Sequence, residues 1–196
     1  MHRILTPADY RRMPWKNGGG STTEIRTHPA GAGFDAFDWR VSVADVACDG
    51  PFSRFPGIDR ILVLLSGSGI RLTGDGHDVD LRGGLEPYAF SGDDAIEGRL
   101  VAGPVRDFNL MLRRGRARGT VSVVRAAGER IHAARFRVSY AAAGAHECLL
   151  PGRAPLLVPV DHALLIEAVD GEPAAALPVN PLGADAIALI AAIECP

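Results

Sequence analysis

"DWRVSVADV", Asp38 to Val46, alternates strictly: Trp39, Val41 and Val43 point one way, Arg40, Ser42 and Ala44 the other. A period of two is the pattern of a β-strand. The same reading extends outward. In "RDFNLML" (106–112), Phe108, Leu110 and Leu112 oppose Asp107, Asn109 and Met111. "RILVLLSGSG" (60–69) is a continuous apolar run that ends in glycine, which suits a strand buried on both faces leading into a turn. "TVSVVRA" (120–126), "ARFRVSYAAA" (134–143) and "HALLIEAVDG" (162–171) repeat the theme. Long amphipathic helices are scarce. "GADAIALIAAIE" (183–194) reads equally as a helix or as a last strand. Many short strands between frequent turns predict an all-β sandwich or barrel.

The chain has 196 residues, 47% hydrophobic and 22% charged, with 23 Gly and 14 Pro to supply turns. That length can bury a core without metal or disulfide staples. A net charge of −2 offers no bulk attraction to nucleic acid or to an anionic membrane, and neither is expected as a partner. Cys48, Cys148 and Cys195 are odd in number, far apart and form no C-x-x-C, so reduced thiols and a cytoplasmic location are expected. "MHRILTPADY" has no apolar core of the signal-peptide kind. The apolar stretches "ILVLL" (61–65) and "AIALIAAI" (186–193) are too short to span a bilayer.

"IDRILVLLSGSG" (58–69) aligns faintly with "VDHALLIEAVDG" (160–171). With the strand count, the repeat suggests two similar β-barrels, 1–116 and 117–196, meeting at the polar, glycine-rich "RRGRARG".

Common catalytic signatures are missing. The histidines His2, His28, His77, His132, His146 and His162 are widely spaced, with no H-x-H, H-E-x-x-H or H-x-x-x-H, so no metal site is expected. "GGGST" (18–22) lacks phosphate-loop spacing, and its lysine precedes the glycines. There is no G-x-S-x-G, and "SGSG" (66–69) reads as a hairpin.

What remains are polar residues set in apolar, glycine-punctuated context. Among 20 arginines the chain has one lysine, Lys16, within "MPWKNGGGSTTEI" (13–25). Trp15 to Gly20 reads as a loop feeding a strand that begins at Thr22 or Thr23. Its glycines let the backbone come close to a ligand or another segment. Lysine is a compact cation and arginine a planar fork, so the two are not interchangeable at a fitted site. Two readings stand for Lys16: an anion-binding group at a barrel mouth, or a surface lysine in a flexible loop. In "DGPFSRFPGIDR" (49–60), Arg60 shares strand parity with Leu62 and Leu64. It is a cation pointing into the lumen, a partner for Asp59, or a strand-edge charge. Asp107 and Asn109 share a face, and either bind a ligand or satisfy the cations structurally. Glu24 and Arg40 are further candidates of the same kind, and Trp15 and Asn17 flank the lysine.

"MPWKNGGGSTTEI", "DGPFSRFPGIDRILVLLSGSG" and "GPVRDFNLMLRR", in this order and spacing, resemble the HutD/Ves family over roughly residues 1–115. The resemblance implies a bicupin: two cupin-like β-barrel or jelly-roll domains in one chain, without the usual metal ligands and without a cofactor. It implies a link to histidine utilisation, moderated through binding of a small organic acid such as urocanate or N-formylglutamate. Ves-like members imply a stress response instead. It places one pocket in the first barrel, with Lys16 and Arg60 as ligand contacts. Trp15, Asn17, Glu24, Arg40, Asp107 and Asn109 complete the candidate set. The second barrel, where His162 stands at the position matching Arg60, is expected to carry no site. The expected function is a non-catalytic carboxylate-binding regulator. The alternative is a metal-free isomerase or hydrolase of a small acid, with Asp107 or Glu24 as its acid or base. Exposed β-edges leave monomer and homodimer both open.

Overall fold

The computed structural model describes residues 1–131, 133–168 and 177–195. His132 and the end of "HALLIEAVDG" (169–171) lie outside the described residues. The chain divides into two compact units: an N-terminal unit, Arg11–Arg116, and a C-terminal unit made of Met1–Tyr10 and Ala117–Pro196. Among the described residues, strands and one short 3-10 turn at Pro7–Asp9 make up the regular structure. No helix among them is long and apolar enough to cross a membrane.

β1 (His2–Leu5) opens the chain and belongs to the C-terminal unit. In the N-terminal unit follow β2 (Arg11–Pro14), β3 (Gly20–His28), β4 (Trp39–Val46), β5 (Gly50–Pro51), β6 (Ile58–Ser66), β7 (Ile70–Gly74), β8 (His77–Leu81), β9 (Tyr88–Ser91), β10 (Glu97–Leu100) and β11 (Val105–Arg113). They form a six-stranded sheet, β2-β3-β4-β11-β6-β9, and a four-stranded sheet, β5-β10-β7-β8. Val46, Leu62, Leu64 and Val105 of the larger sheet meet Ile70 and Leu72 of the smaller one in a single apolar core. The unit is therefore two sheets packed face to face.

The two alternating segments form the centre of the larger sheet, as β4 and β11, and pair in register from Val105 opposite Val46 to Leu112 opposite Trp39. Both faces are buried. Trp39, Val41, Val43, Phe108 and Leu110 are sealed on one side, while Arg40, Ser42, Asp107, Asn109 and Met111 are sealed on the other. The alternation thus separates two dry surfaces, one apolar and one polar.

The C-terminal unit adds β12 (Arg118–Val124), β13 (Glu129–Ile131), β14 (Phe136–Cys148), β15 (Leu156–Val158), β16 (Ala163–Glu167) and β17 (Leu177–Glu194). Its sheet runs β1-β16-β14-β17-β12, with β13 on β17 and β15 on β14. Register shifts interrupt the β14–β17 pairing around Ala143, and such irregularities bend strands. Val179 and Ile190, far apart along β17, share one core with Ala141, Cys148, Val158 and Leu164, so the sheet doubles over on itself.

Several expectations change. The strand orders are open paths, and no sheet closes into a barrel among the described residues. Residues 1–10 leave the N-terminal domain because β1 pairs with β16. "GADAIALIAAIE" is strand: from Ile187 to Glu194 β17 pairs with β14 and β12, so backbone pairing decides what its apolar pattern left open. "SGSG" is no hairpin. β6 lies in the six-stranded sheet and β7 in the four-stranded one, so the turn is a crossing between layers.

Candidate functional site

The site begins with the parity of three strands. Met111 on β11 is paired with Arg40 on β4 and with Arg60 on β6. Arg40, Met111 and Arg60 therefore stand in one row across the inner face. Two residues along, Asn109 pairs with Ser42 and Leu62, and Asp107 with Ala44 and Leu64. Arg40, Ser42, Ala44, Arg60, Asp107, Asn109 and Met111 floor a cavity of about 490 Å³ contained in the N-terminal unit. Phe34, Phe52, Phe55 and Trp15 contribute aromatic walls, and Lys16 and Asn17 also line it.

Arg60 is 7% exposed. Its Nε and Nη2 donate to Asn109 Oδ1 at 3.3 and 3.0 Å, and Nη1 donates to the Ser53 carbonyl at 3.5 Å. Its guanidinium lies over the rings of Phe90, Phe52 and Phe55, at 4.8, 5.4 and 5.6 Å, which favours a buried cation. Asn109 Nδ2 donates in turn to Asp107 Oδ1 at 2.7 Å. Asp107 is thus joined to Arg60 through an amide. Burial pushes the Asp107 carboxyl up to about 6, against the hydrogen bond from Asn109 and the charge of Arg60, which lower it, while Asp45 adds to the rise. Burial brings Arg60 down to about 10, with Asp107 opposing and Arg40 reinforcing the fall.

Arg40 is 4% exposed and has a different partner. Its Nε donates to Glu24 Oε2 at 2.8 Å, and its Nη1 approaches Met111 Sδ at 3.5 Å. Its Nη2 is buried with no hydrogen-bond partner. Phe34, half exposed, lies 5.0 Å from its guanidinium carbon.

The tryptophan–lysine loop is a tight turn. Trp15 N donates to Gly20 O at 2.9 Å and Gly18 N to Trp15 O at 3.1 Å, while Asn17 Oδ1 accepts from Gly19 N at 3.0 Å. Gly18 has φ of +72°, a conformation glycine adopts readily. Gly20 has another role: a Cβ there would lie 2.3 Å from the Asp45 carbonyl and 3.1 Å from the Trp15 ring. The missing side chain lets the indole lie against the strand, where its Nε1 donates to Thr22 Oγ1 at 2.9 Å.

Seven of the eight candidates, Trp15, Lys16, Asn17, Arg40, Arg60, Asp107 and Asn109, line this cavity; Glu24 supports it by holding Arg40. Lys16 is exposed at its edge, so the two cations sealed from water are Arg40 and Arg60. Arg60 is buried and faces this cavity, while Asp59 pairs with Arg114 at 2.7 Å. Phe34, Ser42 and Met111 also line the cavity and stand outside the candidate set. Ser42 and Met111 share the parity of Arg40 and Asp107, and that was the available signal. Phe34 sits in an irregular loop whose path the sequence does not encode locally.

The C-terminal unit holds a buried polar group of its own, comprising Arg137, Ser139, His146 and Cys148. Ser139 Oγ and His146 Nε2 are 2.6 Å apart, and Cys148 Sγ donates to Ser139 Oγ at 3.6 Å. Burial lowers His146 to about 4 and raises Cys148 to about 11. His162 precedes β16, with its Nδ1 3.0 Å from the Val160 carbonyl. Among the described residues no three His, Cys, Asp or Glu side chains gather as a metal site.

Sheets of this arrangement, with a polar-floored cavity between them, place the protein among all-β folds of cupin-like form. The chain belongs to the HutD family, whose model matches residues 7–177. It is 46% identical over 109 residues to an uncharacterized 21.2 kDa protein from the hutC 3′ region of Pseudomonas putida, covering 56% of this chain and 57% of that one. It is 39% identical over 109 residues to protein Ves of Escherichia fergusonii, covering 54% and 56%. These matches span little more than half the length of the curated relatives. The solved structure of HutD from Pseudomonas fluorescens SBW25, in its formate condition, superposes with a TM-score of 0.81 at 31% identity over the whole of both chains.

Proposed function

We propose that the protein is a bicupin that binds a small organic carboxylate in its N-terminal unit without turning it over. Through the bound state it moderates histidine utilisation in the cytoplasm. Urocanate and N-formylglutamate are the leading ligands. The observation that carries this reading is Arg60: a guanidinium sealed on a cavity floor, ringed by aromatic groups, with no carboxylate in direct contact among the described residues. A buried cation without an ion partner is costly, and an entering carboxylate would supply the partner. Charge-assisted bonds contribute about 1.5–3 kcal/mol each. A pair of them with aromatic packing suits dissociation constants between ~1 mM and ~1 μM. The hut-region relative and the HutD structure support the pathway link.

Calorimetry with urocanate and N-formylglutamate tests the reading. Saturable binding that Arg60→Gln removes, with ligand recovered unchanged after long incubation, is the expected result. No saturable heat from either acid would end it.

Asp107 favours a second reading, a metal-free enzyme, because a carboxyl titrating near 6 beside a bound acid has the properties of a general base. Multiple-turnover product that vanishes in Asp107→Asn would decide for it.

A further inference from the structure

An acid bound at Arg60 would have a carboxyl for a neighbour. Asp107 lines the same cavity and is 2% exposed. Its Oδ1 accepts from Asn109 Nδ2 at 2.7 Å, and Asn109 Oδ1 accepts from Arg60 Nη2 at 3.0 Å. One amide therefore ties the carboxyl to the guanidinium that offsets its charge. Asp107 Oδ2 has no hydrogen-bond partner among the described residues, yet it is not one of the atoms sealed from water without a partner, so it opens on the cavity. Burial sets this carboxyl at about 6, and at neutral pH it is ionised with a vacant proton position.

Resting on the carboxylate reading, we propose that the pocket takes up its organic acid together with one proton, which Asp107 holds, so that occupancy falls as the pH rises. An entering carboxylate competes with Asp107 for Arg60, and two like charges in one dry site cannot both ionise cheaply. A proton from solvent on Asp107 cancels the second charge and turns its carboxyl into a hydrogen-bond donor toward the ligand. The other charged and titratable groups around Asp107 are placed to do neither. Arg40 on β4 is held by Glu24 of β3 at 2.8 Å. Lys16 in the turn before β3, Asp45 on β4, and Cys48 and Asp49 after it are exposed, where water and salt screen an anion's field. Ile70 of β7, Gly98 of β10, Phe52 and Phe55 line the cavity without bringing any charge.

Calorimetric titration of the full chain in two buffers of different ionisation enthalpy counts the protons taken up. N-formylglutamate is the direct probe, because its carboxyls titrate near about 4 and stay ionised throughout. Urocanate carries an imidazole that titrates near neutral pH, so with it the parent is compared with Asp107→Asn, in which the ring's own protons cancel. At about pH 7.5 the parent is expected to take up about half a proton or more per ligand, and its Kd should rise about tenfold or more between pH 6 and pH 8. Asp107→Asn should take up none through this position, vary less than about threefold over that range, and bind more tightly than the parent at pH 8. Asp107→Ser serves the same comparison should the asparagine variant fail to fold. A Kd for N-formylglutamate that is flat with pH, proton release on binding, or uptake equal in parent and variant would overturn the coupling while leaving carboxylate binding intact. Absence of binding of either acid by the parent would remove the carboxylate reading itself.

Discussion

Met111 stands between Arg40 and Arg60, paired in register with one across β4 and with the other across β6. A thioether occupies the place where two buried cations would otherwise face each other, and its sulfur takes Arg40 Nη1 at 3.5 Å. Met111→Leu keeps the volume and should cost less than about 1.5 kcal/mol. Met111→Ala opens the floor and should cost about 2–5 kcal/mol. Urea denaturation of the two variants, read against the parent, checks the pair of values.

Asn109 is the link between Arg60 and Asp107. Asn109→Ala strips the guanidinium of its side-chain acceptor and the carboxyl of its donor, both in a dry setting. The expected loss is about 1–3 kcal/mol for each buried group left unsatisfied. A variant as stable as the parent by chemical denaturation would mean that water enters the floor freely.

Asp107 makes stability depend on pH. Its folded pKa of about 6 lies above the ordinary 3.8, so its contribution is fully present below about 3.8 and is lost as pH rises through about 6. The two values differ enough to give an effect of up to about 3 kcal/mol. Asp107→Asn escapes this loss. The difference in unfolding free energy between variant and parent should therefore move in the variant's favour between pH 4 and pH 8. A difference that stays flat across that range would show that the carboxyl titrates normally.

His146 acts in the opposite sense and in the other unit. Burial holds it near 4 against an ordinary 6.5. Its contribution is present above 6.5 and is lost as pH falls through about 4, by up to about 3 kcal/mol. His146→Asn should flatten this acid loss. The parent-minus-variant difference across pH 7 to 4 isolates the effect from that of Asp107, which both proteins share.

Gly20 and Gly18 should respond differently to alanine. Gly20→Ala drives a Cβ into the Asp45 carbonyl and the Trp15 ring, and should cost about 1–3 kcal/mol while shifting Trp15 fluorescence. Gly18→Ala meets open space at a positive φ, and should cost about 1 kcal/mol with the indole signal unchanged.

Much of the site was legible because strands write it plainly. Parity alone sets Arg40 with Ser42, Arg60 with Leu62, and Asp107 with Asn109 and Met111. The rarity of lysine drew attention to the turn that ends against Trp15. What parity cannot say is which face meets what. Both faces of β4 and β11 are dry, so alternation sets Arg40 opposite Trp39, Val41 and Val43 but does not say that β6 brings Arg60 to the same floor. Lys16 illustrates the limit from the other side. Its chemical singularity leaves open an anion-binding group at the mouth or a surface lysine, and a turn stabilised by Asn17 and Gly18 places it in water.

The amino-acid order by itself determined the β class of this chain, where its central strands lie, and which side chains share each strand face, because a period of two is a local property of extended backbone. Tertiary structure decided the rest. It carried β1 to β16, sent β7 into a different sheet from β6, and brought β4 and β6 to either side of β11. Those pairings join segments tens of residues apart, and their energy comes from contacts that no local stretch contains. The meeting of Arg40 and Arg60 over Met111 is one of them.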